Sequence, residues 1–208
     1  MTTSTEGPQT DGTPGPSGRV GEVVRSSSTE FETECYRLNC APAIGALVAC
    51  GEHVQIFGVV AESVTESLDP SRALAPKGAD LATESEVYSA NPQLSRLLAT
   101  RFTSVAVGHL DAGVIRRHLA PSPPRILSFV RVCSGDEVRD FSASVTFLPD
   151  LLGTRVGSPD QVVAAFIRRA AAAHPEPQEF IVRAGKELAG RLPGQLRRVT
   201  AILRMAAE

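Results

Sequence analysis

The chain of 208 residues has no tryptophan, and its two tyrosines, Tyr36 and Tyr88, leave little aromatic surface. Proteins that bind single-stranded nucleic acid stack bases on aromatic side chains, so the scarcity disfavours this class of function. The sequence also lacks an excess of basic charge, since its formal net charge is -2 and its isoelectric point is about 6.1. We therefore do not expect a surface dedicated as a whole to nucleic acid, although the sequence still allows a local basic patch.

Long apolar runs are absent as well. The longest uncharged apolar stretch, residues 40–50, is too short to cross a bilayer. Residues 1–4 carry neither the basic nor the apolar region of a signal peptide. These absences predict no membrane role and a cytoplasmic location.

Motifs of catalytic and metal sites are also missing. The phosphate-loop pattern G-x-x-x-x-G-K-[ST] does not occur, and no G-x-G-x-x-G follows a predicted strand. The four cysteines are too widely spaced for a zinc knuckle, and their apolar surroundings predict buried free thiols. His109 and His118 could face each other across a hairpin, but they lack a carboxylate on the same face and are interpreted as ordinary strand residues. We expect no bound metal, no cofactor and no enzymatic activity. The alternative is an enzyme with an unrecognised site among residues 62–86, His109 and His118.

The sequence does contain four short runs rich in β-branched and aromatic residues between positions 18 and 63. Gly, Pro, Asn and Ser separate the runs, which is typical of a small antiparallel β-barrel. In the second run Phe31 and Thr33 alternate with three glutamates, which predicts one inward face and one acidic, solvated face. The predicted strands are 19–24, 30–38, 44–49 and 54–60.

The segments around these strands complete the predicted barrel domain, 18–133. Residues 1–17 are mostly Thr, Ser, Gly and Pro and are predicted to be a disordered tail. Polar residues with Pro and Gly predict a long loop at about 62–86, and Asn91-Pro92 predicts a short helix at about 92–100. Prolines in 121–124 force an extended connector. Further strands are predicted at 102–110, 114–119 and 125–133, the first two joined by a turn at 111–113.

Helical patterns dominate the C-terminal region, 134–208. Ser134 with Glu137, and Ser158 with Gln161, have the spacing of capping boxes. Apolar residues at helical spacing predict helices from 134 to about 148, from 158 to 173, from 177 to 189 with Gly190 as C-cap, and from 194 to 205. The fold class is therefore predicted as α+β, with a barrel followed by a helical subdomain and a domain boundary near 154–158.

Seven arginines and Lys186 make the C-terminal helices the most basic part of the chain. One hypothesis is that a face of these helices docks on phosphate or on an acidic partner. The favoured interpretation is that the arginines pair with Asp160, Glu179 and Glu187 in a neutral mixture of helix-surface charges. The candidate contact residues are Arg168, Arg169, Arg183, Arg191, Arg197, Arg198 and Arg204.

Residues 21–31 (GEVVRSSSTEF), continuing through Cys35-Tyr36, resemble the opening of the HAS barrel. HerA-type DNA translocases and the N-terminal barrels of rotary ATP synthase subunits share this small β-barrel. Residues 41–48 (APAIGALV) are similar to the family's proline-containing turn and the strand after it, and 57–60 (FGVV) to the next strand. A weaker similarity extends to Cys133.

The resemblance implies a barrel without a motor, because no nucleotide-binding loop occurs in this sequence. Barrels of this family pack side by side in rings and dock partner nucleases of the NurA type, and they contribute no catalytic residue. We therefore expect a non-catalytic adaptor or assembly module in DNA processing or repair. Its partner would be a HerA-type translocase, an associated nuclease or a further copy of itself. The alternative is an accessory protein that binds DNA directly through the basic C-terminal helices.

Overall fold

A computed structural model describes residues 18–69, 71 and 74–208; the predicted tail, 1–17, lies outside the described residues. These residues form seven strands and seven helices, so the prediction of an α+β fold is confirmed. The strands are β1 (Arg19–Ser26), β2 (Glu30–Cys35), β3 (Leu47–Cys50), β4 (Gln55–Ser67), β5 (Leu98–Asp111), β6 (Val114–Arg116) and β7 (Phe129–Val132). The helices are α1 (Glu84–Ala90), α2 (Leu94–Leu97), α3 (Gly135–Phe141), α4 (Leu148–Leu152), α5 (Pro159–Ala173), α6 (Pro177–Arg191) and α7 (Leu196–Ala207).

The seven strands form one antiparallel sheet that rings round on itself. Its hydrogen-bonded order is β2-β1-β7-β3-β4-β5-β6, and an additional pairing joins β2 to β5, with Thr33 opposite Phe102. Because β2 and β5 are neighbours, six strands close a ring, and β6 lies outside it as a short addition to β5. Pairing at both sides of a strand satisfies its backbone groups and removes free edges.

The interior of the ring is mainly apolar, and each of its six strands contributes to it. Strand alternation places every second side chain inward, as Phe31 and Thr33 show in β2, where both are buried. We call this cluster the ring core. Its members are Val23, Phe31, Ala46, Val48, Cys50, Ile56, Val60, Phe102, Ala106 and Val130.

A second, larger cluster joins the outer face of β3, β4 and β5 to the helices. In β3, Leu47 and Ala49 belong to this cluster, whereas Val48 and Cys50 face the ring core, so all four residues are buried. Ring-to-ring contacts continue from the sheet into the helices, from Phe57 to Phe141 at 4.9 Å between centroids, then to Phe147 at 5.0 Å and Phe166 at 5.3 Å. The helices and one side of the ring thus share a single core.

The long loop and the short helix differ from the predictions. The strand β4 continues to Ser67, because residues 62–67 pair with β5, and Thr83 caps α1 by accepting a hydrogen bond from the Glu86 N–H. The predicted loop at 62–86 is therefore too long at both ends, since 62–67 belong to β4 and 84–86 belong to α1. The predicted helix at 92–100 is reduced to the four residues of α2, since pairing with β4 draws the chain from Leu98 onward into β5.

Four predicted strands are also shorter than expected. The strand β2 ends at Cys35 instead of 38, and β3 is Leu47–Cys50 instead of 44–49. The strand β6 ends at Arg116, and the guanidinium of the next residue, Arg117, donates to the Phe141 and Asp140 carbonyls. The strand β7 begins only at Phe129, because the chain turns at Leu127, whose φ is +65°. The predicted turn at 111–113 is present, with φ of +48° at Ala112 and +80° at Gly113.

The helix boundaries are partly as predicted. The capping box of Ser134 and Glu137 is present at α3, but this helix ends at Phe141, and Pro149 lies in the first turn of a separate helix, α4. Ser158 precedes α5 without a side-chain capping bond. Gly190 lies inside α6, whose C-cap is Leu192. None of the helices in the described residues is long and apolar enough to span a bilayer.

Candidate functional site

A groove with a volume of about 710 Å³ lies beside the ring. One wall is the turn between β3 and β4, residues 51–54, and the other is the connector 121–128 that leads into β7. Cys50 and Ile56 of the ring core also line it, so the groove meets one end of the ring interior. Its size is within the range of pockets that hold small ligands or peptide side chains.

The wall formed by the connector presents a continuous apolar surface to solvent. Ile126 is 54% exposed, Leu127 64% and Phe129 38%. The Arg19 guanidinium lies over the Phe129 ring, 3.7 Å from its centroid, as a cation–π contact. Single exposed apolar residues are ordinary, but a contiguous set beside a concavity is typical of a binding surface.

The backbone at Leu127 is held in a conformation that leucine disfavours. Its φ of +65° costs roughly 1–2 kcal/mol for a residue with a Cβ. Hydrogen bonds to β1 fix the turn: the Leu127 N–H donates to the Val23 carbonyl at 2.8 Å, and the Val23 N–H donates to the Ser128 carbonyl at 3.0 Å. The Ser26 hydroxyl donates to the Pro124 carbonyl at 2.7 Å. The strained leucine is therefore a fixed part of the wall.

The groove is lined by three arginines and a single carboxylate, Glu52. Arg131 is already neutralised, since it donates to both carboxylate oxygens of Glu137 at 2.6 and 2.7 Å. These bonds, with the N-cap bond from Ser134, lower the pKa of Glu137 to about 2. Arg19 and Arg125, by contrast, form no ion pair with a carboxylate in the part of the chain that the structure describes.

Burial makes two of the four cysteine thiols unreactive. Cys50 and Cys133 are buried, and burial raises the pKa of each thiol to about 12. The thiol at neutral pH is then protonated and a poor nucleophile. Cys35 and Cys40 are half-buried, so the predicted burial holds fully for two of the four cysteines.

His109 and His118 do face each other, as the sequence allowed, with ring centroids 5.2 Å apart. The interpretation of both as ordinary strand residues is only partly correct, because His109 is buried in β5 and His118 lies beyond the end of β6. His109 Nδ1 lies 3.2 Å from the His118 carbonyl, and His118 Nδ1 lies 3.1 Å from the Leu119 carbonyl, so both rings are oriented by backbone acceptors. Among the described residues, no three His, Cys, Asp or Glu side chains are close enough to hold a metal ion together.

Sequence reasoning did not anticipate the contact between Ser142 and His174, whose Oγ and Nε2 atoms are 2.8 Å apart. This is the distance of a nucleophile–base pair, but the Ser142 hydroxyl donates to the Val138 carbonyl at 2.6 Å. The imidazole must then donate to Ser142, which is completely buried. The pair lacks the proton direction and the access that nucleophilic catalysis needs, and it ties α3 to the end of α5.

Most of the candidate contact arginines already bind other groups of the same chain. Arg198 donates to both oxygens of Asp160, and Arg191 pairs with Glu187, as the neutral-mixture interpretation expects. Arg168, Arg169 and Arg183 each donate to a backbone carbonyl, those of Met205, Ile44 and Ser142 respectively.

The remaining two, Arg197 and Arg204, form no hydrogen bond or ion pair with other described residues. They are exposed seven residues apart on α7. The seven arginines are therefore spread over three helices, and five of them have partners in the chain.

Comparisons with known proteins do not assign this chain to a family. A scan against models of known protein families finds no match, and a search of curated proteins finds no matching protein.

Proposed function

We propose that this chain is a non-catalytic adaptor or assembly module that acts in DNA processing in the cytoplasm. In this proposal the ring of strands is a small barrel of the HAS type. It binds a HerA-type translocase, an associated nuclease or a further copy of the chain. The HAS-like residues at 21–31 and 41–48 and the closed order of the six strands support the barrel assignment.

The observation that carries the proposal is the apolar surface at Ile126, Leu127 and Phe129 beside the groove. Helices cover the outer face of β3, β4 and β5, but this part of the ring stays uncovered in the described residues. A surface of this kind gains free energy when a partner removes it from water.

A direct test is sedimentation velocity of the purified chain, alone and mixed with a HerA-type ATPase or a NurA-type nuclease. We expect a faster-sedimenting complex with one of these proteins, or self-association that grows with concentration. The variant Leu196→Ser serves as a control, because it removes an exposed leucine of α7 that does not line the groove. It should sediment as the wild type does, alone and with each partner. A chain that stays monomeric and binds neither partner contradicts the proposal.

Direct DNA binding by the C-terminal helices is the competing function. Of the seven arginines and Lys186, only Lys186, Arg197 and Arg204 have no hydrogen bond or ion pair with another described residue, so a strongly salt-dependent affinity is not expected. DNA affinity measured as a function of salt separates the two functions. A steep salt slope that the double variant Arg197→Gln with Arg204→Gln abolishes would favour DNA binding instead.

A further inference from the structure

We propose that the groove binds an extended acidic peptide segment of a protein partner. One apolar side chain of the peptide packs on Leu127 and Phe129, and its carboxylates meet Arg19 and Arg125. This inference rests on the proposed adaptor function and specifies the chemistry of the partner segment.

The first argument is that the fold itself gains little from a leucine at position 127. The side chain is 64% exposed and belongs to neither buried cluster, and its backbone adopts a left-handed conformation that glycine would adopt without strain. Both the exposure of the apolar side chain and the strain in the backbone lower the stability of the fold. A leucine here therefore serves a contact outside the described chain, and the neighbouring Ile126 and Phe129 enlarge the same apolar surface.

The second argument is charge complementarity. Arg131 is satisfied by Glu137, whereas Arg19 and Arg125 flank the apolar wall without a carboxylate partner in the described residues. Glu52 is the one acidic side chain among the lining residues. A partner with Asp or Glu on either side of an apolar residue matches this arrangement, and a basic partner does not.

The third argument concerns the backbone of the wall. Prolines at 121, 123 and 124 have no N–H to donate, and the Pro124 carbonyl already accepts from Ser26. The N–H groups of Leu127 and Ser128 donate to the Val23 and Arg125 carbonyls. These groups are therefore not available for a ladder of hydrogen bonds to an added strand. Recognition by the side chains of the wall is therefore favoured, as in grooves that bind extended peptides without pairing them.

The experiment uses two pools of short fluorescein-labelled peptides and measures binding to the full chain by fluorescence anisotropy. Each peptide in the first pool carries one Leu or Phe flanked by Asp or Glu, and the second pool has Lys or Arg in place of the acids. We expect saturable binding of the acidic pool and weaker binding of the basic pool. Equal binding of the pools, or no binding of the acidic pool, overturns the proposal.

Two variants test the residues. Leu127→Gly relieves the backbone strain, so it should fold at least as well as the wild type and bind the acidic pool about tenfold more weakly. Arg125→Glu should weaken binding of the acidic pool by a similar factor and improve binding of the basic pool. Their controls outside the groove, Leu196→Ser and Arg197→Glu, should bind as the wild type does.

The same variants separate this inference from the adaptor function. If Leu127→Gly sediments with the ATPase or nuclease as well as the wild type does, the groove is not the docking site, although the adaptor function stands. If the wild type binds neither protein but binds the acidic pool in a Leu127-dependent way, the groove assignment is supported and the named partners are wrong.

Discussion

Buried hydroxyl groups within the ring show how single residues limit stability. Thr33 Oγ1 and Ser104 Oγ are buried and have no hydrogen-bond partner among the described residues. Each lies next to a ring-core phenylalanine across the β2–β5 pairing, as Thr33 is opposite Phe102 and Ser104 is opposite Phe31. A buried hydroxyl without a partner costs about 1–3 kcal/mol, so these positions offer a gain in stability.

We expect Thr33→Val to increase the free energy of unfolding by about 1 kcal/mol, because valine has the same shape and no polar group to satisfy. Urea denaturation measures the change. The matched control is Thr100→Val, since the Thr100 hydroxyl accepts from the Asn39 N–H at 2.7 Å and contacts Thr65 Oγ1 at 2.8 Å. That variant should lose stability, and equal effects at both sites would contradict the account.

The imidazole of His174 should make stability depend on pH. Burial, with the charges of Arg183 and Arg139, lowers the pKa of His174 from its ordinary value of 6.5. The unfolded chain then binds the proton more readily than the folded chain. The stabilisation is complete above pH 6.5 and is lost as the pH falls from 6.5 through the lower pKa of the folded state.

The measurement is the free energy of unfolding between about pH 7.5 and 5.5. The decrease on acidification should become shallower in His174→Gln, in which the amide can still donate to Ser142. Arg183→Gln should give an intermediate slope, because it removes one cause of the pKa shift. An unchanged slope in His174→Gln would show that this imidazole does not control the pH dependence.

At the scale of elements, one ion pair joins β7 to α3. Arg131 lies in β7, and Glu137 lies in the first turn of α3, where its side chain also accepts from the Ser134 N–H. The carboxylate thus neutralises an arginine and caps a helix at the same time. The same carboxylate therefore holds the start of α3 next to β7.

Replacing Glu137 by Gln should cost roughly 1 kcal/mol at neutral pH, because the capping box and the charged bonds to Arg131 are both weakened. Since the pKa of Glu137 is about 2 in the folded chain and its ordinary value is 4.5, its stabilisation is complete above pH 4.5. It is lost as the pH falls toward 2, so the stabilities of wild type and variant should converge there.

The control is Asp136→Asn, in the same helical turn, whose carboxylate pairs with Arg139 instead. It should cost less at neutral pH, since exposed pairs contribute little. Chemical denaturation at a series of pH values provides the comparison. A Glu137→Gln variant whose deficit stays constant down to low pH would contradict the role of the ion pair.

At the scale of the whole molecule, the helices depend on a close backbone contact with the ring. Gly45, just before β3, has a φ of +79°, and a Cβ at this position would lie 2.5 Å from the Ala165 carbonyl carbon and the Phe166 nitrogen of α5. Only glycine permits this approach without displacing the helix. The contact links the ring core to the cluster that includes Phe166.

We expect Gly45→Ala to destabilise the chain by about 3 kcal/mol or more, as both left-handed strain and a backbone clash are added. Gly113→Ala is the matched control, because its φ is +80° and nothing lies within 4 Å of the added Cβ. It should show the strain alone, about 1–2 kcal/mol. Thermal and urea unfolding measure both, and equal losses would exclude the clash.

The sequence by itself determined the elements whose signals are local. The alternation in β2, the turn at 111–113 and the capping box at Ser134 are read from neighbouring residues, and each is present in the fold. Pairing of two arginines with Asp160 and Glu187 was also predictable, since helix-surface charges of opposite sign tend to combine.

Only the tertiary structure decided the length of β5, the closure of the ring and the groove. Residues 98–100 joined a strand because β4 was available to pair with them. The ring closed because β2 met β5 across about seventy residues of sequence. The groove exists because the β3–β4 turn and the connector to β7 lie side by side, and the exposure of Leu127 follows from hydrogen bonds to β1. Such long-range contacts leave no periodic signal in the sequence, since pairing partners are chosen by the whole fold.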